Sequence, residues 1–215
     1  MIKVNVGCGA TPTPGFVNLD NSWSARLTKW SLFGTALSAL PLLGNGQRTF
    51  MARARELGIQ WAEASALPFA SGTVAVVYSS HMLEHLSREE ADRFFGEVSR
   101  VLQPGGWVRI AVPDLKRIAR QYVSGEFDAD QFVESTLMAW ERPRGLLGRV
   151  KMAVAGPRHH LWMYDGHSLS RRLEAHGLVD VVEVSPGRTN ISDPGSLNLS
   201  ERADESVYIE ARKPI

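Results

Sequence analysis

The sequence predicts an α/β protein built on a doubly wound, mostly parallel sheet of seven strands. Short apolar segments alternate along the chain with segments of helical periodicity, the order expected when helices connect parallel strands. Residues 74–78 are apolar without alternation, as in a strand covered on both faces. Glycine or polar residues follow several apolar segments, where such sheets bind their ligands. With 215 residues, the chain is expected to form a single domain over residues 1–215.

The individual elements follow from apolar runs, helix caps and glycine or proline stops. The strands are predicted at residues 2–6, 16–19, 59–62, 74–78, 107–112, 178–184 and 207–211. Helices are predicted at residues 22–43, 50–57 and 165–176, and most of residues 115–155 is expected to be helical. A further helix begins at a capping box, Ser87 to Glu90, and is predicted to stop at Pro104-Gly105-Gly106. A long polar loop is expected between the last two strands.

The composition is that of an ordinary globular protein, with 44% hydrophobic and 22% charged residues. Cys8 is the single cysteine, which excludes an internal disulfide and a cysteine-rich zinc site. The longest uncharged stretch, residues 30–47, is interrupted by glycine and proline and is too short in its apolar part to span a bilayer. Residues 1–6 are typical of a strand rather than of a signal peptide, so we expect a cytoplasmic protein.

Basic side chains are concentrated in two segments. Residues 21–58 hold five basic side chains and one acidic one, and residues 141–172 hold seven and two. These segments either surround a mouth that attracts an anionic substrate or an acidic surface, or form solvated helix faces. A stripe of tryptophan and leucine over residues 22–43 favours a lid or a packed helix, with peripheral membrane contact as the second interpretation.

The ends of the first two strands indicate a nucleotide-like ligand. Gly7-Cys8-Gly9 follows the first strand, where glycines allow close approach of the backbone and leave amide donors available. A dinucleotide fingerprint would need a third glycine at Pro12, so a nicotinamide or flavin cofactor is disfavoured. Asp20 ends the second strand, and its carboxylate suits the two hydroxyls of a ribose. A plain surface aspartate is the alternative for this residue.

Four motifs in order resemble those of class I S-adenosylmethionine-dependent methyltransferases. They are residues 4–9 (VNVGCG), 67–69 (LPF), 79–85 (SSHMLEH) and 102–106 (LQPGG). The resemblance covers residues 2 to about 114. Residues 159–164 (HHLWMY) and the helix after them are similar to the later part of one bacterial branch of the type 11 methyltransferases.

The resemblance implies S-adenosylmethionine as cofactor and assigns residues to it. Gly7, Cys8 and Gly9 would pass under the methionine, Asp20 would hold the ribose, Glu63 and Ala64 would lie at the adenine, and Ser79 and His81 would face the sulfonium. The link between Gly9 and Asp20 is too short for the usual first helix. Residues 22–58 are therefore expected to cover the cofactor as a helical lid or insertion, and residues 115–165 to form a helical region on the acceptor side.

Methyl transfer to oxygen or nitrogen is helped by a base, and six residues are candidates for contact with the acceptor. They are His81, His85, Asp114, His159, His160 and Tyr164. His160 is the marginally favoured base, and Arg158 or a neighbour is expected to align an anionic acceptor. His81 and His85 are spaced to share one face of a short helix and would suit a metal, but no third ligand of matching spacing follows. No metal is therefore expected.

Two functions from different classes are open at this point. The first is methyl transfer to a small-molecule or glycan acceptor, at an oxygen, with an anionic or lipid-linked acceptor among the candidates. The second is a catalytically inactive cofactor-binding or interaction protein on the same fold. No nucleic acid partner is expected, because no recognised binding module is present and the basic excess is local. The oligomeric state is open.

Overall fold

The computed structural model describes residues 1–22, 25–26, 56–139 and 159–215, and the structural statements below concern these residues. Seven strands form one sheet in the order β3-β2-β1-β4-β5-β7-β6. They are β1 (Ile2–Val6), β2 (Val17–Asp20), β3 (Gln60–Trp61), β4 (Val74–Ser80), β5 (Leu102–Pro113), β6 (Val179–Val184) and β7 (Ser206–Arg212). β7 runs antiparallel to both β5 and β6, and the other neighbouring pairs are parallel. The predicted fold class is confirmed.

Four helices and one short turn complete the described elements. The helices are α1 (Arg88–Val101), α2 (Leu115–Val123), α3 (Ala129–Thr136) and α4 (Gly166–Ala175), and Leu83–His85 forms a 3₁₀ turn. The predicted capping box is present at α1: the Ser87 side chain accepts from the Glu90 amide, and the Glu90 carboxylate accepts from the Ser87 amide. α1 and α4 bury apolar side chains in the same core cluster, on one face of the sheet.

Strand β5 begins earlier than predicted. Pro104-Gly105-Gly106 was expected to separate helix from strand, but the strand already starts at Leu102. The pairing with β4 shifts register between Val74 and Val76, which accommodates the extra residues as an irregularity in the sheet. A Cβ on Gly106 would lie 2.9 Å from the Gln103 carbonyl oxygen, so this close backbone approach requires glycine.

The region after β5 is divided into two helices rather than one. α2 ends before Ser124, and Gly125 has a φ of +78°, a conformation in which a helix cannot continue. α3 then begins with its own capping box at Asp128. The part of the predicted helical region beyond residue 139 lies outside the described residues, up to residue 158.

Most of the predicted lid also lies outside the described residues. Of residues 22–58, the structure describes residues 22, 25–26 and 56–58. Ser22 accepts from the Ala25 amide through its hydroxyl, and its carbonyl accepts from the Arg26 amide, as at the start of a helix. Among the described helices, none is long and apolar enough to cross a membrane.

The second face of the sheet is covered by residues 185–205, the long polar loop expected between the last two strands. Ile191 and Leu197 of this loop pack with Val76 and Tyr78 of β4. Beneath the loop, Arg109 of β5 and Glu210 of β7 form an ion pair at 2.7 Å, and neither side chain is exposed to solvent.

The buried ion pair is also what attaches the loop to the sheet. The Arg109 guanidinium donates to the carbonyl oxygens of Arg188 and Leu199, each at 2.9 Å. The Glu210 carboxylate accepts from the Asn190 amide at 2.7 Å and from the Thr189 hydroxyl at 2.6 Å. Because each charge satisfies loop groups as well as its partner, the loss of one leaves several buried polar groups unpaired.

Replacement of Arg109 tests this description. We expect Arg109→Met to lower the free energy of unfolding by about 3 to 5 kcal/mol, because it leaves the Glu210 charge buried without its partner. Urea unfolding of the variant and of the original chain measures the difference. Arg93→Met is the matched control, since Arg93 pairs with Glu89 at 3.2 Å on the surface and its loss should cost at most about 0.5 kcal/mol. Equal costs for the two variants would contradict the proposed role.

Candidate functional site

The first part of the site is the glycine turn that follows β1. The amides of Gly7 and Cys8 both donate to the Leu19 carbonyl oxygen of β2, at 2.8 and 3.0 Å, which holds the turn against the end of that strand. Gly7 and Gly9 have φ values of +74° and +50°, in the left-handed region that glycine adopts readily. Among the described residues, no atom lies within 4 Å of a Cβ placed on Gly9, so these residues leave space beside this backbone.

Asp20 lies at the neighbouring strand end and is held by two backbone amides. Its Oδ2 accepts from the Gly9 amide at 3.0 Å and its Oδ1 accepts from the Ser22 amide at 2.8 Å. Each carboxylate oxygen keeps a further lone pair, so the group can still accept from two neighbouring hydroxyls. Because the Gly7, Cys8 and Gly9 amides are all bound within the chain, the turn does not offer the amide donors expected from the sequence. The roles of Asp20 and the turn toward the cofactor stay predictions.

Cys8 lies within the glycine turn, with its side chain buried beside Ile59. Burial, together with the negative charge of Asp20, raises the pKa of the Cys8 thiol to about 12. The thiol therefore stays protonated near neutral pH and is a poor nucleophile. The contribution of Cys8 at this position is its backbone and its small, apolar side chain.

A second group of residues lies directly beside the glycine turn. A Cβ on Gly7 would overlap the side chain of Met82, so the absence of a side chain at Gly7 lets the two backbone segments approach closely. Met82 follows β4 and precedes the 3₁₀ turn that contains Glu84 and His85. The parallel pairing of β1 with β4 thus places the segment 81–85 next to the predicted cofactor turn.

Glu84 is the centre of this second group. Its side chain is 1% exposed, and neither carboxylate oxygen has a hydrogen bond within the part of the chain that the structure describes. Its Oε1 lies 3.3 Å from Nδ1 of His81 and 3.8 Å from Nε2 of His160. The rings of His85 and His160 meet edge to face with centroids 5.0 Å apart. We call Glu84 and these three histidines the Glu84 cluster.

Backbone carbonyls orient two rings of the Glu84 cluster. Nδ1 of His160 lies 2.8 Å from the Thr136 carbonyl oxygen, and Nδ1 of His85 lies 3.2 Å from the His159 carbonyl oxygen. Because a carbonyl only accepts, Nδ1 carries a proton in both rings, which leaves Nε2 as the nitrogen that can accept. Burial lowers the pKa of His160, opposed by the charge of Glu84, which favours the neutral ring.

His81 is oriented by the segment that leads into β7. Its Nε2 lies 2.7 Å from the Ser206 hydroxyl, and its Nδ1 lies 3.3 Å from the Arg202 guanidinium. The Glu84 carboxylate approaches the same Nδ1 at 3.3 Å, so a donor and an acceptor both lie beside this nitrogen. His81 has a φ of 50°, an uncommon value for a non-glycine residue, as the chain turns sharply at the end of β4.

The structure brings together five of the six predicted acceptor residues. His81, His85 and His160 belong to the Glu84 cluster, and His159 contributes its carbonyl to it. Tyr164 is buried, and the pKa of its hydroxyl is raised mainly by that burial, with Glu84 adding to the increase. It therefore also lies near the cluster.

Asp114 is not a member of the Glu84 cluster, but it pairs through the backbone with Tyr164 in an isolated bridge. Its carboxylate accepts from the Lys116 amide at 3.0 Å and caps helix α2. It also borders a cleft of about 240 Å³ that is lined on other sides by Glu183 and Ser206. Asp114 thus caps a helix, which was the alternative to acceptor binding. Its role toward the acceptor stays a prediction.

The remaining predicted cofactor residues lie at other strand ends. Glu63 is exposed and Ala64 is buried just after β3, where Glu63 pairs with Ala66 in an isolated bridge. Ser79 is fully buried in β4, and its hydroxyl has no hydrogen bond among the described residues. Their roles toward the cofactor stay predictions. Arg158, the expected aligning residue, lies outside the described residues.

Sequence reasoning missed the importance of Glu84. A glutamate is usually exposed, and nothing in its neighbourhood along the chain indicates burial. The available signal was its position between two histidines of one motif, three residues after His81 and one before His85. The third histidine of the cluster, His160, comes from a segment 76 positions away from Glu84, which no local pattern can connect to it.

Comparison with known proteins identifies the family. Residues 4–110, about half of the chain, match the family model described as "Methyltransferase domain". No curated protein matches the sequence. A S-adenosylmethionine-dependent methyltransferase of Thermotoga maritima, titled a possible histamine N-methyltransferase, is similar in structure, with a TM-score of 0.51 and 14% identity over 99% of this chain and 81% of that chain.

Two further solved structures have the same fold. A protein of Pyrococcus horikoshii OT3 has a TM-score of 0.51 and 15% identity over 99% of this chain and 81% of its own. A S-adenosylmethionine-dependent methyltransferase of Methanosarcina mazei has a TM-score of 0.50 and 13% identity over 99% of this chain and 92% of its own. With the family match and the seven-stranded sheet, the chain belongs to the class I S-adenosylmethionine-dependent methyltransferases, whose methyl donor is S-adenosylmethionine.

Proposed function

We propose that this protein transfers a methyl group from S-adenosylmethionine to an oxygen of a small-molecule or glycan acceptor that carries a negative charge. The observation that carries the proposal is the close approach of Gly7 and Met82. It supports a site in which the cofactor turn and the Glu84 cluster are direct neighbours. The methyl donor would then lie on one side of this contact and the acceptor on the other.

The cofactor part of the proposal uses the residues that the family resemblance assigns. Gly7, Cys8 and Gly9 pass under the methionine, and Asp20 holds the ribose. Glu63 and Ala64 lie at the adenine, and Ser79 and His81 lie toward the sulfonium. The open space at Gly9 and the two amide-anchored oxygens of Asp20 support this arrangement. S-adenosylmethionine supplies an electrophilic methyl group on a positively charged sulfur.

The residues of the chain have two tasks in the reaction. They must bring the acceptor oxygen into line with the methyl–sulfur bond and exclude water, which is worth about 7 to 11 kcal/mol. A positioned base contributes about 3 to 5 kcal/mol. As the new carbon–oxygen bond forms, the carbon–sulfur bond breaks with its electron pair left on sulfur, and the acceptor hydroxyl loses its proton. A histidine of the Glu84 cluster is suited to receive that proton at a ring nitrogen that does not itself donate.

Within the Glu84 cluster, we assign the direct contact with the acceptor to His85. Sequence reasoning favoured His160, but that ring is 5% exposed and is held by the Thr136 carbonyl. His85 is the exposed member of the cluster, and its Nδ1 lies 3.2 Å from the His159 carbonyl oxygen. The buried His160 ring then packs edge to face against His85 and helps to hold its orientation.

A negative charge on the acceptor is supported by the arginines near the Glu84 cluster. Arg202 lies 3.3 Å from His81, and the Arg88 guanidinium lies over the Trp162 ring at 4.4 Å. The sequence adds the basic excess of residues 141–172, which lead into His159 and His160. Arginine binds carboxylate and phosphate groups with two parallel hydrogen bonds, so an acceptor of this class suits the surroundings.

The cofactor assignment is tested by replacing Asp20. Asp20→Ala should weaken S-adenosylmethionine binding by about 1.5 to 3 kcal/mol, because a charge-assisted hydrogen bond is lost. Titration calorimetry on the folded chain measures the affinity. Asp92→Ala is the control, since Asp92 is an exposed aspartate of α1 and should leave the affinity unchanged. Equal affinities for Asp20→Ala and the original chain would remove Asp20 from the site.

The acceptor assignment is tested with His85→Ala. Supplied with methyl-labelled S-adenosylmethionine and fractionated cell extract, the original chain should label an anionic small molecule or glycan. His85→Ala should lower kcat/KM for that acceptor about 100-fold or more, while its S-adenosylmethionine affinity stays the same. His176→Ala, which removes a histidine paired with Asp92 away from the cluster, should retain full activity.

Two results of the labelling experiment would count against the proposal. Full activity of His85→Ala would move the acceptor site away from the Glu84 cluster. A chain that binds S-adenosylmethionine but labels no acceptor in any fraction would favour the alternative function, a cofactor-binding or interaction protein on the same fold.

A further inference from the structure

We infer that Glu84, His85 and His160 form a binding site for one divalent transition-metal ion of the Zn²⁺ type. One ligand atom from each of these residues lies within 4.8 Å of the other two. An ion of this type forms bonds of about 2.0 to 2.2 Å to imidazole nitrogen and carboxylate oxygen. The three ligand atoms would move slightly closer together to reach these bond lengths. The proposal that the Glu84 cluster binds a metal ion does not rest on the proposed function. A role of the bound ion in methyl transfer does rest on it.

The first argument is the state of the Glu84 carboxylate. Both of its oxygens are inaccessible to solvent, and no described residue donates a hydrogen bond to either of them. A buried carboxylate in this state is costly, because its charge has lost water without gaining donors. A cation bound between Glu84 and the two neighbouring rings would supply the missing interaction. The carboxylate is thus the independent sign that a partner belongs here.

The second argument is the orientation of the two histidines. In both rings Nδ1 is directed at a backbone carbonyl, that of Thr136 for His160 and that of His159 for His85. This arrangement leaves the Nε2 lone pair of each ring available as a ligand. Metal-binding histidines characteristically donate their second nitrogen to a carbonyl or carboxylate, which fixes the tautomer and the direction of the ring. Because two adjacent rings have this same orientation, they are suited to bind one ion together.

His81 then has a positioning role rather than a ligand role. Its Nδ1 lies 3.3 Å from Glu84 Oε1, while its Nε2 is bound to Ser206 and Arg202 lies on the Nδ1 side. These contacts hold His81 beside the carboxylate and limit the directions in which Glu84 can turn. The set that remains for the ion is two imidazoles and one carboxylate.

The ligand set selects the class of ion. Two imidazole nitrogens and one carboxylate oxygen suit Zn²⁺, Co²⁺, Ni²⁺ or Fe²⁺, whereas Mg²⁺ and Ca²⁺ prefer oxygen ligands throughout. Three protein ligands also leave at least one position open, as in zinc sites that take part in catalysis. Glu84 and His160 are buried and His85 is exposed, so the open position faces the side of His85. In the metal-bound chain His85 would hold the ion instead of accepting a proton, and an acceptor oxygen would bind at this open position.

The site is tested on the full chain with Zn²⁺ itself as the probe. After removal of metals with a chelator, calorimetric titration should show one Zn²⁺ bound per chain. Co²⁺ should compete for the same site and give the visible absorption of a low-symmetry nitrogen and oxygen environment. His85→Ala and His160→Ala should each lower Zn²⁺ affinity about 100-fold or more, since loss even of an outer-shell partner costs 10 to 100-fold.

The control is His176→Ala. His176 Nε2 lies 3.4 Å from the Asp92 carboxylate, which resembles the histidine–carboxylate pairs of the Glu84 cluster but has no second histidine. Its replacement should leave the Zn²⁺ affinity and stoichiometry unchanged. His85 is exposed, so His85→Ala is expected to fold, and circular dichroism checks that His160→Ala retains the original secondary structure.

The outcomes separate this inference from the proposed function. Absence of Zn²⁺ binding to the original chain, or unchanged binding in both His85→Ala and the folded His160→Ala, overturns the metal site. S-adenosylmethionine binding is measured separately on the metal-free chain. A chain that binds Zn²⁺ through these residues but transfers no methyl group keeps the metal site and removes the proposed function.

Discussion

The parallel pairing of β1 with β4 is the constraint on which the rest of the site depends. It places the ends of the two strands at one edge of the sheet, so that the turn at residues 7–9 and the turn at residues 81–85 meet there. Gly7 makes this possible because Met82 fills the space that a side chain would need. β2 lies on the other side of β1 and brings Asp20 to the same edge. The relative positions of the glycine turn, Asp20 and the segment 81–85 are thus set by backbone pairing.

A second consequence of this arrangement is electrostatic. The segment after β4 folds inward, so Glu84 is buried where a charged group is poorly solvated. In such surroundings the interactions of Glu84 with His81 and His160 are stronger than they would be in water. The same burial that makes an unpaired carboxylate costly makes this position suited to bind a cation or to polarise a histidine. Burial of Glu84 is thus the cause both of its energetic cost and of its suitability for these interactions.

The opposite face of the sheet contributes to the site through residues 185–205. The buried pair of Arg109 and Glu210 holds this loop against β5 and β7. The loop ends at Ser206, whose hydroxyl contacts His81, and Arg202 within it approaches the same ring. A polar network inside the core therefore attaches the same loop that supplies a contact to a residue of the Glu84 cluster.

The sequence by itself determined the class of fold, the approximate positions of six strands, the cap of α1 and the family, because these depend on local periodicity and on short motifs. It also indicated Asp20 and three histidines now found in the Glu84 cluster. It did not determine that β5 starts at Leu102, since the register shift against β4 depends on the packing of two separate strands. The burial of Glu84 and its meeting with His160 were decided by tertiary structure alone, because local patterns carry no information about which distant segments come into contact.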